Sequence, residues 1–207
     1  DAAIIIGGTA GSIAFGQAAQ ASSADNGTDY VLAMSVLGAD ANGSPAPAGT
    51  VVNLSAWPIA WATSGIAPCP LVYPETANTG FFRNEDVHEN LTLDLTPTAE
   101  DGRRIFDSTG TATSSLGVPA SAVVTLDGLA TPPNSAAGIL PSQVTTDSRG
   151  VANFSLTYGK SSAFWIKTRI RARTVVQGSE AVSETQFILP ALLDDTTPVC
   201  KLPASPY

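Results

Sequence analysis

Hydrophobic positions along this chain recur with a period of two, and clusters of Gly, Pro, Asn, Asp and Ser break them into short runs. Over residues 28–37, Tyr30, Leu32, Met34 and Val36 fall on one side and Val31, Ala33, Ser35 and Leu37 on the other. Both sides are largely apolar, which predicts a strand near the middle of a packed structure. Shorter strands are predicted at 12–16 and 50–57, the second ending where Pro58 interrupts it. Between them, residues 39–49 contain Asn42-Gly43 and two prolines, so a tight reversal is expected: Asn-Gly tolerates positive φ, and proline cannot donate to a ladder. The clearest alternation comes late. Phe164, Ile166, Thr168, Ile170 and Ala172 face one way; Trp165, Lys167, Arg169, Arg171 and Arg173 face the other. A turn and strand over 143–156 precede this run, and a last strand is predicted at 181–189.

Residues from about 58 to 140 carry many of the Pro, Asn, Asp and Thr residues and only scattered apolar runs. A structureless loop of that length is improbable in a compact domain, so the segment is read as an insertion with short strands of its own. The expected organisation is therefore a linker or the end of a preceding domain at 1–9, one elaborated β-sandwich at 10–190, and a C-terminal tail at 191–207. Within the sandwich, core strands occupy about 10–58 and 143–190 and the insertion about 59–142. Short strands at this spacing, with no segments of helical period between them, point to an all-β, immunoglobulin-like sandwich with a long, partly irregular insertion.

Composition narrows the setting. Only 14% of the 207 residues are charged, against about 25% in ordinary soluble domains, and Ser, Thr, Ala, Gly and Asn replace the Lys and Glu that fill helix surfaces. The net charge of −8 lacks the basic footprint that phosphate backbones require, so nucleic acid is not an expected partner. No stretch approaches the roughly 20 apolar residues that span a bilayer. Asp1 reads as a processing point or a boundary inside a longer protein, and the whole profile suits an exported chain, extracellular, at the cell surface or periplasmic. His88 is the single histidine, it lies in an acidic stretch, and no Gly-x-Ser-x-Gly elbow occurs, so catalysis is not expected.

Three pieces in order resemble the bacterial immunoglobulin-like domains of the invasin and intimin type, the repeats that build adhesin stalks. The first is residues 36–45, a strand running into a turn with Asp40, Gly43 and Pro45, followed by Gly49 and a Val-rich strand. The second is Thr145-Thr146-Asp147-Ser148-Arg149-Gly150-Val151-Ala152, similar to the family's Thr-Asp-x-x-Gly-x-Ala signature. The third is the closing pair of strands containing Ile170-Arg171-Ala172. The resemblance implies a non-catalytic structural or adhesive module of an exported bacterial surface protein. Its partners would be neighbouring domains of a longer chain, or a host or cell-surface protein or glycan. The residues give a physical account of the second piece: Asp147 can accept backbone N–H bonds across the turn, and Gly150 takes a conformation that a side chain forbids.

Four features are candidate sites. Asp86, His88, Asn90 and Asp94 place oxygen or nitrogen donors at alternate positions, like the start of an EF-hand calcium loop, which makes Ca²⁺ the candidate cofactor. The pattern lacks the central Gly, which is Leu91, and the closing Glu, where Pro97 stands; a solvated acidic surface is the alternative. Cys69 and Cys200 are the only cysteines, and in an exported chain a disulfide between them would clamp the tail onto the insertion. The stripe of Trp165, Lys167, Arg169, Arg171 and Arg173 is either a binding face, with Trp165 as a stacking platform, or a face paired with Glu180 and Glu184 on the next strand. Trp57 and Trp61 are either a sugar-binding pair, as in a carbohydrate-binding module of a secreted enzyme, or core aromatics that anchor the insertion.

Overall fold

In chain order the strands are β1 (Ala10–Gln17), β2 (Ser22–Ser23), β3 (Asp29–Asp40), β4 (Val51–Trp61), β5 (Phe81–Arg83), β6 (Ile105–Phe106), β7 (Ala112–Thr113), β8 (Gln143–Thr145), β9 (Val151–Gly159), β10 (Ile166–Val176) and β11 (Ser179–Ile188). The computed structural model describes residues 10–24, 27–40, 42–62, 81–86, 88–92, 105–106, 112–113, 130–176, 179–197 and 199–207. Every pairing is antiparallel, and the strands make two sheets packed as a β-sandwich. Among the described residues there is no α-helix, only short 3₁₀ turns, so no helix there is long and apolar enough to cross a membrane.

In the first sheet β3 is central, with β9 on one edge and β1 and β2 sharing the other. In the second, the order is β11-β10-β4; the far edge of β4 pairs with β8 at its start and β5 at its end, and β6 and β7 continue from β5. The insertion thus contributes the short strands β5, β6 and β7 to the second sheet.

The period-two pattern becomes the core directly. Tyr30, Leu32, Met34 and Val36 of β3 meet Phe154, Leu156 and Tyr158 of β9, and across the sandwich Val52, Leu54, Ile166, Ile170 and Ala172. The other side of β3 does not form a second core: its burial alternates, and Leu37 is 44% exposed. One face of the sheet is solvated, as antiparallel sheets allow. Thr168 and Thr174, polar members of the inward set, are satisfied by backbone carbonyls, Thr168 Oγ1 donating to Ala137 O (3.2 Å) and Thr174 Oγ1 to Val51 O (2.8 Å).

The strand expected to stop at Trp57 runs through Pro58 to Trp61. A bulge makes this possible: Lys167 pairs with Ala60 and Thr168 with Pro58, leaving Ile59 extra. The extra residue flips the alternation. Val52 and Leu54 point into the core before it; after it Trp61 packs on the core, while Ala60 and Ala62 join Trp165 and Phe81 on the opposite face.

At one end of the sandwich two turns interlock. Asp40 Oδ1 accepts the N–H groups of Asn42 (2.9 Å) and Ser44 (2.8 Å), and Asp147 Oδ1 those of Arg149 (2.8 Å) and Val151 (2.9 Å). Gly38 N–H donates to Gly150 O (2.9 Å) and Ala46 N–H to Gly38 O (2.8 Å). Gly150 has φ +77°, and a Cβ there would lie 2.7 Å from Gly38 O and 2.9 Å from Ala46 N. Only glycine fits so close a backbone approach.

The opposite end is closed by the tail. Leu202 is buried in the core, Trp165 Nε1 donates to Pro203 O (3.2 Å), Ser205 Oγ to Ala62 O (2.7 Å), and the Tyr207 ring lies 5.6 Å from that of Trp61. Asp195 anchors the tail, accepting from Tyr30 Oη (2.7 Å) and from Lys160 Nζ (2.9 Å). These two bonds, Lys160 first, hold the Asp195 carboxyl below its ordinary range, while burial pushes the Tyr30 hydroxyl well above its own.

Candidate functional surface on the second sheet

The outer face of β10 is where the basic stripe falls, and its members part company. Trp165 is 1% exposed, packed with Ala60, Ala62 and Phe81 beneath the tail, so it is not a stacking platform. Lys167 is also buried. The three arginines are met by carboxylates. Arg169 reaches Glu89 (2.6 Å) and Glu184 (3.8 Å); Arg171 bonds Glu184 and lies 3.9 Å from Glu89; Arg173 lies 4.0 Å from Glu180. Hairpin register dictates part of this, since Arg171 stands directly opposite Glu184. The Arg169 bond, helped by the neighbouring guanidiniums, holds Glu89 below the usual carboxylate range. The stripe is therefore a charge ladder covered on one side by the insertion, and not an open basic surface.

Glu89 belongs to the segment in which a calcium loop was expected. Asp86 is buried, and its two oxygens accept the N–H groups of Asn90 (3.0 Å) and Leu91 (2.6 Å). Asn90 Oδ1 in turn accepts Thr92 N–H (3.0 Å). The alternating oxygens thus build turns. Leu91, standing where a calcium loop has Gly, takes φ +66°, and Glu89 φ +58°, the left-handed region that side chains seldom enter. His88 and Asn90 are exposed, and Asp94 lies outside the described residues. Among the described residues no three His, Cys, Asp or Glu side chains gather as a metal-binding group.

Cys200 packs half-buried against the core and is disulfide-bonded, not a free thiol, while Cys69, the cysteine expected to pair with it, lies outside the described residues. The tryptophan pair is divided by the bulge. Trp61 packs on the core and Tyr207, whereas Trp57 stands on the outer face, opposite Arg169. The two cannot share one ligand.

Sequence reasoning missed the cavity of about 210 Å³ in which Trp57 takes part. One wall is the Asp86 turn; the other is the segment 130–134. Glu85 ties the walls together, its N–H donating to Thr131 O (3.0 Å) and its Oε2 accepting Thr131 N–H (2.8 Å). Asn84 fastens the first wall to the sheet through Pro58 O and Ile59 O, the carbonyls at the bulge. Pro58, a proline inside a strand-like run, was the one available signal, since proline within a sheet falls at edges or bulges and bulges often re-aim side chains beside sites.

Comparison with known proteins gives no match: no family profile, no curated protein and no solved structure is similar to this chain at a significant level.

Proposed function

We propose that this chain is a non-catalytic structural or adhesive module of an exported bacterial surface protein, of the immunoglobulin-like kind found in invasin and intimin. The observation that carries the reading is the interlock of the two turns. The segments 36–45 and 145–152, on which the family resemblance rests, are about a hundred residues apart, yet they meet through Gly38 and Gly150 with contacts that exclude a Cβ. The strand partition supports it as well. The main strands β1, β3 and β9 lie against β8, β4, β10 and β11, the division of an immunoglobulin domain whose fourth strand has joined the C-F-G sheet.

In this role the sandwich is a rigid unit between neighbouring domains, or presents a surface to a host or cell-surface protein or glycan. The competing reading, a carbohydrate-binding module using Trp165 or the Trp57/Trp61 pair, has less support: Trp165 is buried, and Trp57 and Trp61 lie on opposite faces, so no two of these aromatics make one platform. The test is export. Fused to a secretion signal and a surface anchor in a non-adherent bacterium, the chain should accumulate folded and protease-resistant at the surface and leave growth substrates unaltered. A chain degraded on export but folded in the cytoplasm contradicts the proposal.

A further inference from the structure

We propose that the cavity over Trp57 is a saccharide subsite that takes one neutral hexopyranose ring, its apolar face on Trp57 and a hydroxyl on Asn134. The chemistry of the walls selects the ligand class. Trp57, Leu91, Pro132 and Pro133 give apolar contact, and one carboxylate and two carboxamides stand among them. A wholly apolar ligand would leave the Asn134 amide without a partner, whereas Asn84 and Asp86 are already bonded within the wall. An anion would meet the Asp86 carboxylate. A metal ion would find both Asp86 oxygens already accepting N–H groups of the turn. A pyranose ring, apolar on its faces and hydroxylated at its edge, matches the mixture, and tryptophan is the aromatic best suited to such two-natured partners.

The size and rigidity of the site agree. At about 210 Å³ the cavity is below the roughly 300–1,000 Å³ of pockets for drug-sized ligands, so it holds one ring and not an oligosaccharide. Its walls are set before any ligand arrives, by the Glu85–Thr131 pair of bonds, the Asn84 bonds to the bulge and the Asp86-held turn. Preorganisation of this kind lowers the ordering cost of binding. Leu91, in the first wall, is held at φ +66° by the bond of its N–H to Asp86 Oδ2, and its side chain is 69% exposed. Asn134, exposed on the second wall, has no hydrogen bond engaging its amide among the described residues and is free for a ligand. The inference deepens the adhesive reading and rests on it for the ligand's setting, a glycan on a cell surface.

The probe is a panel of methyl glycosides of glucose, galactose, mannose and N-acetylglucosamine, titrated against the whole chain with saturation-transfer NMR and tryptophan fluorescence. At least one should bind saturably with Kd of about 1 mM, the range reached by a single small ring. Trp57→Ala should weaken it roughly tenfold or more, and Asn134→Ala, at an exposed position, about threefold to tenfold with an unchanged melting temperature. Absence of saturable binding by any glycoside to the folded chain overturns the subsite, as does equal binding by wild type and both variants, or binding of a proline-rich peptide alone. None of these outcomes alters the export test, so failure of the subsite and failure of the module reading are distinguishable.

Discussion

The two ends of the sandwich are closed by different means. At the turn end, backbone amides bond to the exposed side chain of Asp147 and to Asp40, and Gly38 and Gly150 touch backbone to backbone. At the tail end, side chains do the work: Asp195 draws together Tyr30, Lys160 and, at 3.9 Å, Lys201, while Leu202 enters the core. Local geometry closes the first end; long-range burial closes the second. Each end is therefore fragile in its own way. The turn end should be sensitive to backbone substitution, and the tail end to the loss of a polar partner.

The largest expected effect is at the turn end. Gly150→Ala forces a Cβ to within 2.7 Å of Gly38 O at φ +77°, and strain plus displacement should cost about 4 kcal/mol. At about 2–4 °C per kcal/mol for a chain of this size, thermal melts should fall by roughly 8–16 °C. Next comes Asp195→Ala, which leaves Tyr30 without its acceptor and Lys160 without its carboxylate; the expected loss is about 2–3 kcal/mol by denaturant titration. Tyr30→Phe should cost less, about 1–1.5 kcal/mol, because Lys160 still pairs with Asp195. Combining Gly150→Ala with Asp195→Ala should give the sum of the single effects within about 0.5 kcal/mol, since the two ends share no partner. A larger deviation would mean that the two ends are energetically coupled through the strands.

Acid should load both ends, because the turn N–H groups of Val151 and Arg149 lower the Asp147 pKa as Lys160 and Tyr30 lower that of Asp195. Asp195 has its pKa lowered by Lys160 and Tyr30, and a lowered carboxyl pKa stabilises the fold above the unfolded value and loses that stabilisation as pH falls through the folded one. Stability should therefore be steady above about pH 5 and decline below about pH 4, and in Asp195→Asn the decline should be shallower. The smallest effect belongs to the outer ladder. Arg173→Gln removes a contact of 4.0 Å between groups 50% and 56% exposed, so melts should change by less than about 0.5 kcal/mol and not at all in high salt.

The same division explains what the sequence disclosed. The Asp147–Gly150 turn was legible because Asp, Gly and their spacing state a local geometry, and the alternation in β10 separated inward from outward residues correctly. The pairing of Arg171 with Glu184 followed from hairpin register. The Asp195 anchor was hidden because Tyr30 lies 165 residues away, and Glu89 because it lies 80 residues from Arg169. Alternation also misled: Trp165 shares a parity with the arginines but is covered by the tail, which no period reveals. Ile59 escaped notice because a bulge adds one residue without changing composition, and that residue divides the tryptophan pair.

The central claim is that the tail is part of the sandwich and closes its end. Native-state hydrogen exchange tests this directly on the Lys201 amide, which donates to Asp195 O (2.8 Å), compared with amides of β3 and β10. The account predicts that Lys201 exchanges only through openings that approach those of the strands, and that Asp195→Ala releases it selectively. Exchange of Lys201 at the rate of an exposed loop in the wild-type chain, with the strands still protected, would contradict it.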